Sequence, residues 1–197
     1  MDAPLRPALP RFDRWPEAVR FAEHLRGTLV RCGPGFRGAG WPDTPRVRAA
    51  ALGAWLTPDR IAVRMTAAWV WGACREPGRP LEFSTVGRRR PARHGTAPDI
   101  ALHQFAYAEH ELRRLDEGLV VTTPEQTACD LLRAPGPFPL SHRVAVRLLG
   151  CMSEGGIEAI CSRIARGRPQ YRATALARLD EAAGARRPSS AGSAVSW

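Results

Sequence analysis

Apolar positions along the chain fall into two rhythms. A period near 3.6 residues marks helices, and alternation marks strands. "DRWPEAVRFAEHLR" carries the first, with Trp15, Val19, Ala22 and Leu25 or Phe21 able to share one face. Asp13 is the expected cap and Pro16 falls in the first turn. "GTLVRCGPGFRGAGW" reads as a short strand and a glycine-rich turn. "DTPRVRAAALGAWL" is a helix capped by Thr44, with Pro45 at its first position and Val47, Ala51, Leu52 and Trp55 as its stripe. "MTAAWVWGA" is a shorter helix, with Thr66 as the expected cap and Gly72 as the stop. Trp69 and Trp71 on it read as core.

The second rhythm follows. "LEFSTV" and "IALHQFAY" read as strands, separated by the basic loop "GRRRPARHG". "HELRRLDEGLVVTT" reads as a hairpin that turns at Asp116-Glu117-Gly118. The firmest local signal is the joint "GLVVTTPEQTACDLLRA", residues 118–134. Leu119 to Val121 are apolar enough for a strand inside a sheet. Thr123, Pro124 and Gln126 then supply a cap, a first-turn proline and a third-position amide, the pattern of a capping box. Glu125 sits at the positive end of that helix. Ala128, Leu131 and Leu132 should face inward. Beyond "RAPGPFP" the pattern is purely helical: "LSHRVAVRLLGCM" from Ser141, "GGIEAICSRIARG" with Ile157, Ile160, Cys161 and Ile164, and "YRATALARLDEAAG" with Leu176 and Leu179. "ARRPSSAGSAVSW" reads as a disordered tail.

Composition narrows the chemistry. The 197 residues are 44% hydrophobic, enough for a core, and carry a formal charge of +10. That charge favours polyanion partners without specifying a fold. All 29 basic residues are arginine. A GC-rich genome is the simplest cause. The missing lysine rules out a lysine Schiff base and a GxxxxGK[ST] phosphate loop. The 5 cysteines form no CxxC pair and read as small core residues of a reduced, cytoplasmic protein. A zinc site from Cys151, Cys161 and a histidine is the weaker reading. No run approaches the ~18 apolar residues of a membrane span.

Candidate functional side chains are few. Arg88, Arg89, Arg90 and Arg93 form the one sharp basic cluster, which Arg46 and Arg48 could extend. A guanidinium fork suits phosphate, and such contacts position a nucleic acid without reading its sequence. The competing reading is a solvated loop. His103 and His110, with Glu109 and Glu111 nearby, show no convergence of the kind acid–base catalysis needs. No catalytic residue, metal ligand or cofactor is assigned. Thr123, Pro124 and Gln126 are read as a structural joint.

Taken together, "LVRCGPGFRGAG", "TPRVRAAALGAWL", "MTAAWVWG" and "GLVVTTPEQTACDLLR" resemble the actinobacterial branch of the AbiEi family, antitoxins of type IV toxin–antitoxin systems. The last string matches that family's joint at Gly118, Val121, Thr122, Thr123, Pro124, Thr127, Asp130, Leu131, Leu132 and Arg133. The resemblance covers roughly residues 26–180. It implies a winged helix-turn-helix that binds operator DNA, then an antitoxicity domain. It also implies functional pairing with a nucleotidyltransferase-like toxin, for which direct contact is not required.

The chain departs from the family in two places. Only one helix precedes the wing-like glycine turn, whereas a complete winged helix-turn-helix needs about three. No acidic strand cluster of the nuclease-bearing relatives follows Arg133. The expected architecture is therefore α+β. A flexible lead (1–12) precedes a residual winged-helix-like segment (13–43), and a core (44–134) with a small antiparallel sheet and packed helices follows. A helical C-terminal part (135–184) and a tail (185–197) complete it. The expected function is a non-enzymatic, antitoxin-like component, with nucleic acid as a candidate partner. The alternatives are a degenerate relative of very-short-patch-repair-like endonuclease proteins without the nuclease domain, and a stand-alone DNA- or RNA-binding regulator.

Overall fold

The computed structural model describes residues 7–86, 99–167 and 169–184. The chain is α+β, as the two rhythms require. Helix α1 (Glu17–Leu25) leads into a hairpin of β1 (Leu29–Cys32) and β2 (Gly35–Gly38). Helix α2 (Pro45–Ala51) starts as expected, with Thr44 Oγ1 accepting from the Val47 N–H at 3.4 Å. Strand β3 (Arg60–Ala62), helix α3 (Arg64–Trp71), strand β4 (Leu81–Thr85) and strand β5 (Ile100–His103) follow. The hairpin β6 (Leu112–Asp116) and β7 (Leu119–Thr122) runs into helix α4 (Pro124–Leu132). Helices α5 (Leu140–Met152), α6 (Gly156–Arg166) and α7 (Arg172–Ala183) complete the chain.

The main sheet has the order β5-β4-β3-β7-β6. Its antiparallel pairs are β3–β4 and β6–β7, and β1–β2 forms a second, two-stranded antiparallel sheet. The joints β3–β7 and β4–β5 are parallel. Parallel neighbours need long crossovers, and the pairing of β3 with β7 spans nearly 60 residues, so local patterning could not reveal it. One sheet face carries Ala62, Leu81, Phe83, Leu119 and Val121 against α2 and α3. The opposite face carries Ile61, Val63 and Val120 under Phe105, Tyr107 and Leu112. A second core joins α3 and α4 to α5, α6 and α7 through Leu131, Leu132, Val146, Leu149, Ile160 and Ile164. Ala128, Leu131 and Leu132 point inward as expected, and all three are fully buried.

Several local expectations are corrected. Asp13 does not cap α1. It takes both forks of Arg11, at 2.9 and 3.0 Å, and Pro16 occupies the cap position. The apolar stripe of α1 is not buried: Trp15, Val19, Phe21 and Leu25 are all exposed, Leu25 to 86%. The helix lies on the surface with no buried residue, and its Phe21 ring meets Phe36 of the hairpin edge-to-face at 6.1 Å. His24 Nδ1 lies 3.0 Å from the Leu29 carbonyl, and Thr28 Oγ1 donates to the Glu23 carbonyl. Thr66 lies inside α3, whose cap is Val63. Its buried hydroxyl donates to the Pro77 carbonyl and accepts from the Glu82 N–H. Gly72 does end α3, at φ +84. Trp69 is core, and Trp71 is half-buried with its indole N–H on the Thr122 carbonyl at 2.8 Å. Cys32 and Cys129 are buried and Cys74 half-buried, but Cys151 and Cys161 are exposed. No helix among the described residues is long and apolar enough to cross a membrane.

Candidate functional site

The joint after β7 folds as its syntax dictates. Thr123 Oγ1 accepts from the Gln126 N–H at 3.3 Å, and Pro124 occupies the first turn. Thr127 braces the joint from inside. Its hydroxyl lies 2.7 Å from Thr122 Oγ1 and also donates to the Thr123 carbonyl. The reciprocal half of the capping box is not made, because the Thr123 N–H donates to the Glu111 carbonyl instead. This frees the Gln126 side chain for other work. Its Nε2 donates to Asp130 Oδ1 at 2.7 Å, one helical turn on. Its Oε1 accepts from Arg163 Nε and Nη2 at 3.1 and 2.9 Å.

Asp130 and Arg163 are the two poles of a polar network. The second oxygen of Asp130 accepts from the Tyr107 hydroxyl at 2.7 Å. Arg163 reaches back from α6 to pair with Glu111, and with Glu125 at 3.5 Å. Burial raises the Asp130 pKa, and the hydrogen bonds from Tyr107 and Gln126 offset this only in part, so the carboxyl is pushed up to about 6. Burial, with the Asp130 charge beside it, drives the Tyr107 phenol well above its ordinary range. The network floors a cleft of about 610 Å³ between the 104–107 segment, α4 and the α6–α7 turn. Arg133, Arg166 and Tyr171 also line it.

A second polar cluster lies in the groove between α3 and β5. Glu82 Oε1 accepts from Arg64 Nη1 at 3.1 Å and lies 3.3 Å from His103 Nε2, while Oε2 accepts from the Met65 N–H. Burial pushes the Glu82 carboxyl up, but these partners outweigh it, and the net pKa is lowered. The His103 ring stacks on Phe105 at 4.9 Å, and the Arg64 guanidinium lies over the same ring. His103 is therefore tied to Glu82, while Glu111 is tied to Arg163. Among the described residues no three His, Cys, Asp or Glu side chains gather to hold a metal ion.

The residues nominated from sequence fall in different places. Arg88, Arg89, Arg90 and Arg93 lie outside the described residues. Arg46 pairs with Asp116 at 2.6 Å and donates to the Pro7 carbonyl. Arg48 forks onto both oxygens of Asp43 at 2.8 Å, donates to the Trp69 carbonyl at 2.8 Å and lies over the Trp69 ring. Both guanidiniums thus have internal partners. Thr123 and Pro124 are structural, and Gln126 links the joint to the cleft. Sequence reasoning did not nominate Tyr107, Asp130 and Arg163 as site residues. The one available signal was the Gln126–Asp130 spacing, which puts an amide and a carboxyl one turn apart on α4. Compared with known proteins, the chain matches no family model, no curated protein and no solved structure.

Proposed function

We propose that the chain is a non-enzymatic, antitoxin-like component of a type IV toxin–antitoxin pair. Its action opposes a nucleotidyltransferase-like toxin, and nucleic acid is a candidate partner through Arg88, Arg89, Arg90 and Arg93. One observation supports this reading above others: the four strings that carry the AbiEi resemblance interlock. Gly33 of the hairpin turn lies against the Trp69 ring, where an added Cβ would come within 2.5 Å of the indole. Arg48 of the second string lies over that ring, 5.6 Å from its centroid, and bonds the Trp69 carbonyl. Trp71 of the third string donates to Thr122 in the joint. Side chains that look unrelated in sequence therefore make one folded unit, as expected if they are inherited together.

Co-expression with an adjacent nucleotidyltransferase-like gene tests the proposal. The expected result is restored growth when the chain is present and continued arrest when it is absent. Arrest that persists despite abundant folded protein would overturn it. A type IV antitoxin need not bind its toxin, so a negative pull-down leaves the growth assay as the deciding measurement.

A further inference from the structure

We infer that the cleft between the 104–107 segment, α4 and the α6–α7 turn is a binding site for a nucleoside monophosphate, its phosphate held by Arg133 and Arg166 and its base against Tyr171. The inference does not rest on the antitoxin reading. It starts from charge. Three guanidiniums, those of Arg133, Arg163 and Arg166, line the cleft together with two carboxylates, Asp130 and Glu111. Arg163 is consumed by Gln126, Glu111 and Glu125. Asp130 is consumed by Tyr107 and Gln126. Neither Arg133 nor Arg166 takes part in any of these pairings, so two cationic side chains that line the cleft remain unspent. The Arg133 fork packs on the backbone just after Arg166. Gly167 follows Arg166 directly, and the Arg133 fork lies so near its Cα that an added Cβ would sit 2.4 Å from Nη2. Planar forks of this kind match a phosphate through paired hydrogen bonds.

A second observation is independent of charge and specifies the rest of the ligand. Tyr171 has φ +62 and ψ 8, the left-handed region that costs a non-glycine residue strain. The residue is nonetheless 56% exposed and lines the same cleft. The turn is fixed by Arg172 Nη2 donating to the Gly167 carbonyl at 2.6 Å. A strained backbone that holds an aromatic ring out of the core gains nothing in folding, whereas a base stacked on the ring would. Phe105 cannot take that role, because His103 stacks on it and Arg64 lies over it. At about 610 Å³ the cleft is in the range of small-molecule sites and too small for a duplex.

Calorimetric titration of the full chain with AMP, GMP, adenosine and inorganic phosphate tests the inference. Wild type should bind both nucleotides more tightly than phosphate and more tightly than adenosine. Arg133→Gln with Arg166→Gln should weaken AMP and phosphate alike, by about tenfold or more, the loss expected for charge-assisted hydrogen bonds. Tyr171→Gly should weaken AMP several-fold, leave phosphate unchanged and not lower the melting temperature, since glycine relieves the strained φ. Arg147→Gln, on an exposed face of α5, should change nothing. No heat with either nucleotide would overturn the site. Equal affinities for AMP and phosphate, unmoved by Tyr171→Gly, would overturn the nucleotide assignment.

Discussion

Replacing Asp130 by asparagine probes the polar network at its most costly point. Its carboxyl is held by the Tyr107 hydroxyl and the Gln126 amide, and the guanidiniums of Arg64 and Arg133 act on it from further off. Burial outweighs all of these and raises the pKa from 3.8 to about 6. At ~1.4 kcal/mol per unit the shift corresponds to about 3 kcal/mol. The direction follows from linkage. A carboxyl with a raised folded pKa holds its proton more tightly in the native state than in the unfolded one. Its contribution is fully present below about pH 4 and is lost as pH rises through about 6. Asparagine keeps the shape, accepts from Gln126 through Oδ1 and offers an N–H to the Tyr107 oxygen, but it carries no charge. Urea unfolding of wild type and Asp130→Asn across this window isolates the effect. Glu82, Asp13 and Asp43, whose pKa values are lowered and whose slopes are opposite, are common to both proteins. The variant should gain on wild type by up to about 3 kcal/mol between pH 4 and pH 7. Parallel stability curves would refute the reasoning, because they would mean that the carboxyl titrates alike in both states.

Three further outcomes follow from particular contacts. Thr123→Ala should cost about 1 kcal/mol in denaturant unfolding through loss of the α4 cap, with nucleic-acid affinity unchanged at matched folding. A loss of binding without a loss of stability would show the joint to be more than scaffold. Gly35→Ala should destabilise by about 1–3 kcal/mol, since its Cβ would sit 2.1 Å from the Ala51 carbonyl oxygen and must push α2 off the hairpin. An unchanged melting curve would show that α2 and the hairpin are not coupled. Alanine at Arg88, Arg89, Arg90 and Arg93 together should flatten the dependence of log affinity on log salt for duplex DNA, by up to ~0.9 per lost phosphate contact. Identical slopes would return that cluster to a solvated loop.

What could be read from the sequence was what is local. The α2 cap, the Gly72 stop, the β6–β7 turn and the Thr123 cap of α4 each depend on residues within one turn of one another, and all form as the patterns imply. Where a partner arrives from far along the chain, the local rule yields. Thr66 has the right type to cap a helix, but the Glu82 N–H and the Pro77 carbonyl claim its hydroxyl, and α3 starts earlier. Gln126 has the right spacing for a capping box, but Glu111 takes the backbone N–H it would have bonded. Arg163, 37 residues on, takes its carbonyl. The amphipathic stripe of α1 correctly indicates a helix. What it meets on the hairpin, the Phe36 ring and the Leu29 carbonyl, is information that periodicity does not contain.

The absence of lysine has a structural sequel. A GC-rich genome accounts for the number of arginines but not for where their forks go. Arg48 joins both oxygens of Asp43 to the Trp69 carbonyl. Arg178 of α7 gathers the carbonyls of Leu132, Ala134 and Gly136, closing the open end of α4 and tying it to the last helix. The Leu132 carbonyl is one that the helix terminus leaves unsatisfied, and the other two belong to the turn after it. Arg163 joins Glu111 to the neighbouring pair Glu125 and Gln126. Each case uses several donors in fixed directions, which an ammonium on a flexible stem supplies poorly. Where guanidiniums are spent as ties between elements, net charge is a poor guide to the functional surface. The arginines that matter for recognition are those the fold leaves over, and in the cleft those are Arg133 and Arg166. A high isoelectric point therefore gives little guidance to where this protein meets an anion, whereas unspent forks gathered in one cleft give a place to look.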